Sequence, residues 1–417
     1  MRFPSIDYDT HPAYERVRSD IAYDDGLIGQ HVRAADDAYS DFCSLADQTE
    51  AAAAECLARI RGAADRILAH AAESKIPVVA EEWLHNCTRW AVRDIAYEFA
   101  RRVFSAREYR GRNLSASEAG QLDSLRARGM YVAELAPAAY ERIRRLAMAH
   151  LDELKSQADR SPSQRAVVTP AFNSPLWRAI KAAVEEAAIM DVLGEFKRNR
   201  MTMLGAGLEY SSPKQTWYQS IYADMGLPDS PLQYLHFDEG YCLPKAMIYV
   251  TPVTELSGPT RAIPASNCWQ ASEFTLRVHR ALDRIVGDRY GQFGGAGNYR
   301  PLARHPELRR IFMQMPRGLR GSSHFGDDIL PGTALAGTLI GQEVPYLSER
   351  AQALVFDGPS LLHRGSLVRE GERMALQVGF RNRNEAIIRS RLANETFLRE
   401  QIALGRKYAR KYVMAYL

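Results

Sequence analysis

The sequence predicts an α+β protein with an antiparallel β core and helices placed mainly before it. Three observations lead to this fold class. Helical patterns fill residues 1–112 and much of 137–196, segments rich in β-compatible residues follow Met201, and a His-x-Asp motif stands among those strands. Helices followed by runs of strands favour an α+β architecture. A double-sheet jelly roll of the cupin type accommodates this order of elements.

The N-terminal region, residues 1–112, is predicted to be a helical layer packed on the core. Strong helix formers occupy 51–74, and Pro77 ends that helix because proline cannot continue it. A second helix over 80–104 carries apolar residues at the spacing of a buried stripe. An independent binding module is the less favoured alternative for this region.

Residues 113–385 are predicted to form the domain that contains the strands. A serine within 114–118 is a candidate helix N-cap, and Ser174 followed by Pro175 is typical of another helix start. The remaining elements are predicted as helices over 137–158 and 175–196 and as strands at 129–135, 201–210, 216–222, 246–250, 261–264, 353–356 and 373–380.

The strand pattern stops between residues 267 and 350. Long irregular segments in compact domains are usually lids or binding loops, so this stretch is expected to form an insertion over the open end of the β core. The C-terminal tail, 386–417, is predicted to be helical. Its excess of basic residues could attract an acidic partner, but a solvated helix face is the favoured interpretation.

Composition restricts the classes of function. The 417 residues are 46% hydrophobic and 25% charged, which is typical of a globular protein, and a net charge of +4 demands no polyanionic partner. The five cysteines form no CxxC pair, which argues against a zinc ribbon and a disulfide framework. Neither a signal-peptide pattern nor an apolar run of membrane-spanning length is present, so a cytoplasmic location without membrane association is expected.

The most informative stretch is 232–240, where His236 and Asp238 end a predicted strand and enter a turn. Residues i and i+2 of a strand point to the same face, so this imidazole and this carboxylate can reach one point. They are two of the three ligands in the 2-His-1-carboxylate arrangement, which holds non-heme Fe(II) and leaves coordination positions open. His363 is the candidate for the third ligand.

The same motif occurs at His150 and Asp152, where the neighbouring apolar residues recur at helical spacing. Residues two apart on a helix lie about 200° apart around the axis. That pair therefore cannot chelate a metal, and we interpret it as a solvated helix face. The strand context, rather than the motif itself, makes His236 and Asp238 informative.

Arg373 begins the last predicted strand, ten residues after His363. Alternation puts Arg373 and Gln377 on one face of that strand. An arginine facing the core needs an anion because burying an unpaired charge is costly, and its planar guanidinium suits a carboxylate. A metal beside a carboxylate-binding arginine is the arrangement expected for a 2-oxoacid that chelates the metal.

In their order along the chain, these residues resemble the phytanoyl-CoA dioxygenase family of Fe(II)/2-oxoglutarate oxygenases. The segments 125–132 and 137–140 are similar to the family's opening strand and first helix, and 257–267 is similar to its glycine–proline turn. The resemblance spans roughly 115–385. The arginine follows the distal histidine by ten residues, one fewer than is common in the family.

The resemblance implies a double-stranded β-helix fold with Fe(II) held by His236, Asp238 and His363. It also implies that 2-oxoglutarate places its distal carboxylate on Arg373, with a second contact at Gln219, and that O2 is the other cosubstrate. The implied reaction is hydroxylation of a small metabolite or natural-product intermediate, with release of succinate and CO2. Because Asp238 occupies the carboxylate position, no coordination site is vacated for halide, and halogenation is disfavoured.

Two alternative functions stay open: a 2-oxoglutarate-independent metal cupin enzyme and a non-catalytic β-barrel binding protein. Arg373 argues against the first and the complete triad against the second. A nucleic-acid partner is not expected, because the demethylases of this cosubstrate class carry a second arginine where this chain has Gly379. The expected partner is a small-molecule substrate.

His324 with Asp327 and Asp328 is a rival set of metal ligands. Offsets of three and four residues would need a helix, whereas Gly326 and its neighbouring glycines and serines favour a loop. The glycine-rich segment 291–297 neither follows a strand nor opens a helix, so it is not a nucleotide-binding fingerprint.

Overall fold

The computed structural model describes residues 6–12, 14, 21–45, 49–215, 235–238, 243–269, 273–290, 306–320, 329–330, 332–348 and 350–383. The helices within these ranges are α1 Asp25–Ser44, α2 Glu50–Glu73, α3 Val78–Glu108, α4 Ala116–Arg128, α5 Pro137–Met148, α6 Leu151–Arg160, α7 Pro175–Glu186, α8 Ile189–Lys197, α9 Glu273–Tyr290, α10 Pro306–Met313 and α11 Ala334–Gln342. The strands are β1 Met130–Glu134, β2 Ala166–Val168, β3 Met201–Ser211, β4 Lys245–Tyr249, β5 Thr260–Ala262, β6 Val344–Tyr346, β7 Gln352–Phe356, β8 His363–Gly365 and β9 Arg373–Asn382. The α+β class is therefore as predicted.

The strands form two antiparallel sheets. The larger sheet has six strands in the order β1-β7-β4-β9-β3-β2, and the smaller has three in the order β6-β5-β8. Strands β4 and β9 lie at the centre of the larger sheet, with Met247 opposite Gln377 and Tyr249 opposite Ala375. This register decides which side chains of the two strands share a face.

The two faces of the six-stranded sheet have different partners because side chains alternate between faces. On one face, Ile248 and Leu376 pack with Ile180 and Val184 of α7 in a core shared by α4–α8. The other face is turned toward the small sheet, where the buried cluster is Met247, Tyr249, Leu354, Phe356 and Ala375 with Ala262 and Tyr346. We call the space between the sheets the interior.

The N-terminal helices α1–α3 form a second core together with α9 and α10, which lie within residues 267–350. Trp83 and Phe99 of α3 are fully buried in it, as are Phe274 of α9 and Phe312 of α10. We call α1–α3 with α9 and α10 the helical unit. Within 267–350, the described parts thus contain helices whose apolar faces complete the N-terminal layer. None of the helices in the described ranges is long and apolar enough to cross a membrane.

Helix starts were predicted better than helix interiors. Ser115 forms a capping box with Glu118, and Ser174 accepts from the backbone N–H of Trp177, so both predicted N-caps are confirmed. The single helices predicted over 137–158 and 175–196 are each divided in two. The second division falls at Ala188, which adopts a positive φ of 53° without the glycine or proline that ordinarily marks such a turn. The predicted strand at 216–222 and the tail at 386–417 lie outside the described residues.

Candidate metal centre

Two backbone hydrogen bonds bring the predicted histidines together. His236 and His363 exchange N–H···O bonds of 2.9 and 3.0 Å, and His236 thereby extends the free edge of β8 in the small sheet. Residues paired directly across an antiparallel ladder send their side chains to the same face. The backbone N–H of Asp238 donates to the carbonyl of Gly358 at 3.0 Å, which fixes the carboxylate beside the two imidazoles.

The three side chains meet at one buried point. Asp238 Oδ1 lies 3.7 Å from Nε2 of His236 and 3.7 Å from Nε2 of His363, and the ligand atoms of all three residues lie within 4.8 Å of one another. Their exposures are only 4%, 7% and 5% for His236, Asp238 and His363. In the part of the chain that the structure describes, this is the one group of three or more His, Cys, Asp or Glu side chains arranged to hold a metal.

His363 is held in the state that a metal requires. Its Nδ1 donates to the backbone carbonyl of Leu361 at 2.8 Å, which leaves the Nε2 lone pair directed at Asp238 and His236. Burial lowers the pKa of His363 to about 3, against the opposing attraction of Asp238. The imidazole is therefore neutral at physiological pH.

Asp238 is held as a carboxylate by a residue that was not predicted, Lys245. The ammonium of Lys245 donates to Asp238 Oδ1 at 2.8 Å. Burial raises the pKa of Asp238, but the ammonium of Lys245, followed by interactions with His363 and His236, outweighs it and keeps that pKa well below its usual range. Asp238 Oδ2 is buried and has no hydrogen-bond partner among the described residues.

Gly358 makes room for the carboxylate. A Cβ atom built on Gly358 would overlap Asp238 Oδ2 and lie 2.8 Å from Asp238 Cγ. The Asp238 side chain therefore occupies the volume that any other residue at 358 would fill. Two imidazole nitrogens and a carboxylate with an unused oxygen are a donor set that suits a divalent transition metal such as Fe(II).

Arg373 points into the interior, as strand alternation predicted. It is 5% exposed, and its guanidinium crosses from β9 to the loop before β5, where it donates to the carbonyl of Gly258. A second bond goes to Ser211 Oγ at 3.1 Å, and Nε has no partner in the described part of the chain. Its hydrogen-bond acceptors within the described ranges are neutral, and no carboxylate there pairs with it.

Tyr249 lies between the two cationic residues on the interior face of the larger sheet. Its hydroxyl accepts from the backbone N–H of Thr260 at 2.7 Å, and its ring stacks on Tyr346 at 5.1 Å. Burial raises the pKa of Tyr249, against the charge of Arg373. Lys245 and Tyr249 could have been found from sequence by applying to 245–249 the alternation that identified Arg373.

One residue of the helical unit reaches the metal centre. Arg280 of α9 is 6% exposed, donates to the carbonyl of Pro359, and places its guanidinium 5.9 Å from the ring centroid of Phe237. Pro359 follows Gly358, and Phe237 lies between the two ligands of the His-x-Asp motif. Arg280 therefore contacts the segment that carries Asp238 and the segment to which the Asp238 backbone is hydrogen-bonded.

The other candidate residues from the sequence are placed as follows. His150 is the N-cap residue of α6, with Nδ1 3.3 Å from Glu153 Oε2 in an exposed pair, and Asp152 lies in the first turn of that helix. Gln219 and the rival set His324, Asp327 and Asp328 lie outside the described residues, so their roles stay predictions.

No protein-family model matches the chain, and no curated protein matches it in sequence. Similar solved structures include the non-heme alpha ketoglutarate dependent carbocyclase SnoK from nogalamycin biosynthesis, at 14% identity and a TM-score of 0.35, covering 64% of this chain and 84% of that one. The epimerase SnoN in complex with Fe3+, alpha ketoglutarate and nogalamycin RO is similar at 10% identity and a TM-score of 0.35, covering 64% and 84%.

EctD from S. alaskensis with 2-oxoglutarate and 5-hydroxyectoine is similar at 11% identity and a TM-score of 0.37, covering 66% of this chain and 80% of that one. The SnoN structure contains Fe3+ and alpha ketoglutarate, and the EctD structure contains 2-oxoglutarate. At these identities and TM-scores, the similarity does not establish a family, a substrate or a reaction for the chain.

Proposed function

We propose that the protein is a non-heme Fe(II)- and 2-oxoglutarate-dependent oxygenase that hydroxylates a small molecule. The observation that supports this most is the pairing of two features in one interior. These are a buried group of two imidazoles with a carboxylate, and a buried arginine whose hydrogen-bond acceptors among the described residues are all neutral. A metal cupin without a cosubstrate would have no use for the second feature.

His236, Asp238 and His363 would hold the metal. When bound, Fe(II) would supply the chemistry by which O2 and 2-oxoglutarate give succinate and CO2 while a C–H bond of the substrate is oxidised. The chain keeps its ligands ready for this role. The Leu361 carbonyl holds the proton of His363 on Nδ1, and Lys245 holds Asp238 ionised.

Arg373 would bind the distal carboxylate of 2-oxoglutarate. A guanidinium is always charged and presents its donors in a planar fork that matches a carboxylate. Burying that charge among neutral acceptors is costly, and a carboxylate entering the interior would remove the cost. Gln219 is proposed as a second contact to the cosubstrate.

The finer assignments belong to the same proposal. We propose that the two antiparallel sheets are the halves of a double-stranded β-helix related to the phytanoyl-CoA dioxygenase family. The substrate would be a small metabolite or natural-product intermediate, not a nucleic acid, and the enzyme would work in the cytoplasm. The described helices of 267–350, held by α1–α3, would form one wall of the substrate pocket.

Turnover of the cosubstrate tests this function. Protein supplied with Fe(II), ascorbate, O2 and 2-oxoglutarate should form succinate. Adding a metabolite mixture that contains its substrate should accelerate succinate formation. A His363→Ala variant, assayed at the same protein concentration, is the control for iron-catalysed background. Metal binding without succinate formation would favour the metal cupin alternative, and binding of neither metal nor 2-oxoglutarate would favour the non-catalytic binding protein.

A further inference from the structure

Lys245 is a second cation of the interior, and the proposed function uses it only to hold Asp238 ionised before the metal binds. It begins β4, and its side chain shares the interior face with Met247 and Tyr249, two and four residues further on. Its ammonium reaches Asp238 Oδ1 at 2.8 Å. The side chain keeps 20% of its surface exposed, twice the 10% of Asp238, so it borders space that another molecule can enter.

The ion pair with Asp238 balances the charge of Lys245 only while no metal is bound to the same carboxylate. Asp238 Oδ1, the oxygen that Lys245 contacts, is also the oxygen 3.7 Å from both histidine Nε2 atoms. A dication bound there would withdraw charge from the oxygen and repel the ammonium beside it. Lys245 then needs a different anion, because a partly buried cation next to a metal is unfavourable without one.

The charges of the loaded site show which molecule must bring that anion. A divalent metal with Asp238 carries one positive charge, and 2-oxoglutarate brings two negative ones. Arg373 makes the total zero, so the cosubstrate is already compensated without Lys245. Lys245 leaves one positive charge in excess among the described residues of the interior.

We propose that Lys245 binds an acidic group of the substrate, a carboxylate or a phosphate, beside the carbon that is oxidised. This inference rests on the proposed function and specifies the substrate class of the same site. A lysine ammonium is a compact point charge with three donors and no planar preference, so it accepts either anion. Anchoring the substrate next to the metal ligands would place the neighbouring C–H bond at the metal.

Binding of small probes to the protein loaded with Co(II) and 2-oxoglutarate tests the proposal without turnover. The probes are acetate, methyl phosphate and neutral acetamide, and the readout is the visible absorbance of Co(II) at constant ionic strength. We expect at least one anion to bind about tenfold or more tightly than acetamide, because hydrogen bonds to charged groups are the stronger ones. Lys245→Met should remove that preference, and Lys245→Arg, which keeps the charge, should keep most of it.

The matched control is Lys181→Met, which removes a lysine paired with Glu185 on the solvent face of α7, where the lysine is 38% exposed. It should bind the probes as the unmodified protein does. Equal binding of the anions and acetamide, or an anion preference that survives in Lys245→Met, would overturn the proposal.

Two further measurements on Lys245→Met separate the remaining explanations. Co(II) affinity should be at least that of the unmodified protein, since a repelling charge has been removed; a loss would make Lys245 a positioning residue for Asp238 instead. Affinity for 2-oxoglutarate should stay the same, and a large loss would assign Lys245 to the cosubstrate. If 2-oxoglutarate fails to bind the unmodified Co(II) protein, the proposed function itself falls, and this inference with it.

Discussion

The helical unit and the β core each contain a cluster of buried apolar residues, yet they differ in what else they bury. In the helical unit, the buried charge of Glu98 is matched by Arg101 and Arg102, which bind it at 2.8 Å each. In the β core, the interior holds Arg373 and an oxygen of Asp238 that has no hydrogen-bond partner among the described residues. Charges balanced within the chain are typical of structure, whereas incompletely paired ones indicate a place for ligands.

The two regions are joined at α9. One side of this helix packs along α3 in the helical unit, and Arg280 on the same helix reaches the backbone beside the metal ligands. If the comparison is right, substitutions in the β core should remove function with little loss of stability. Substitutions in the helical unit should do the reverse, and α9 should show some of each.

The largest effect is expected at the metal ligands. His236→Ala, Asp238→Ala and His363→Ala should each abolish Fe(II)-dependent succinate formation, because each removes one of three protein ligands. Circular dichroism should show a folded protein in every case, since no apolar core residue is changed. His150→Ala, at the exposed start of α6, is the control and should keep full activity. Loss of metal binding in His324→Ala, with binding retained in His363→Ala, would show that the distal ligand is wrongly assigned.

The next effect concerns Arg373. Arg373→Leu should leave Fe(II) affinity unchanged but weaken 2-oxoglutarate binding by about 30-fold to several-thousand-fold, which corresponds to roughly 2–5 kcal/mol for one half of a buried charged pair. Isothermal titration of the metal-loaded protein measures both affinities. Arg373→Lys should recover only part of the loss, because an ammonium replaces the planar fork. A shorter 2-oxoacid without the distal carboxylate should distinguish the variants less, and unchanged 2-oxoglutarate affinity in Arg373→Leu would contradict the cosubstrate assignment.

Substitution of Gly358 tests whether metal binding depends on the space that this glycine leaves for the Asp238 carboxylate. In Gly358→Ala the added methyl would displace Asp238, and overpacking of this kind costs roughly 1–3 kcal/mol. We expect Co(II) affinity to fall about tenfold to a hundredfold. Gly120→Ala in α4 is the matched control, because a Cβ there meets nothing within 4 Å. Equal metal affinities in the two variants would mean that Asp238 moves freely.

Arg280 tests the connection between the regions. Arg280→Met removes its bond to the Pro359 carbonyl and its contact with Phe237, and should lower the free energy of unfolding by roughly 1.5–3 kcal/mol. Co(II) affinity should also fall, but by less than in Gly358→Ala. Arg59→Met breaks the exposed pair with Asp41 elsewhere in the helical unit and should change neither quantity measurably. An unchanged metal affinity in Arg280→Met would show that the helical unit does not influence metal binding at the site.

The smallest effect on the function of the site is expected from Glu98. Its contribution to the stability of the fold depends on pH. Burial raises the pKa of Glu98, but the guanidinium groups of Arg101 and Arg102 outweigh it and hold that pKa well below its usual range. Such a carboxylate stabilises the fold above its unfolded-state pKa, about 4.3, and this contribution is lost as the pH falls through the folded-state pKa. The Tm should therefore drop below about pH 4, and Glu98→Gln should be less stable at pH 7 with a weaker pH dependence. Glu50→Gln, at an exposed pair with Arg107, should follow the unmodified protein.

What the sequence could predict was local. Alternation along a strand was enough to direct His236 and Asp238 to one point and Arg373 into the interior, because it needs only the residues themselves. Caps at Ser115 and Ser174 were predicted for the same reason. The amphipathic spacing of Phe274, Val278 and Leu282 was equally local and could have identified α9 within the insertion.

What the sequence could not predict depends on partners distant in the chain. The need for glycine at 358 arises from the Asp238 side chain, which lies far away in the sequence but occupies the space where a Cβ atom would be. The left-handed residue between α7 and α8 is an alanine, Ala188, although alanine does not favour this conformation by itself. Tertiary contacts decide such positions.

The reciprocal backbone pair of His236 and His363 has a further consequence. Among the described residues, His236 joins the edge strand β8 of the three-stranded sheet by two hydrogen bonds, and edge pairings of this kind open easily and then invite pairing with other chains. A metal shared by both side chains would link these segments, which are far apart in sequence, and would stabilise the folded chain because it binds that state and not the unfolded one. Loss of iron would then expose a sheet edge, making the empty protein the form that aggregates and the loaded protein the form that persists.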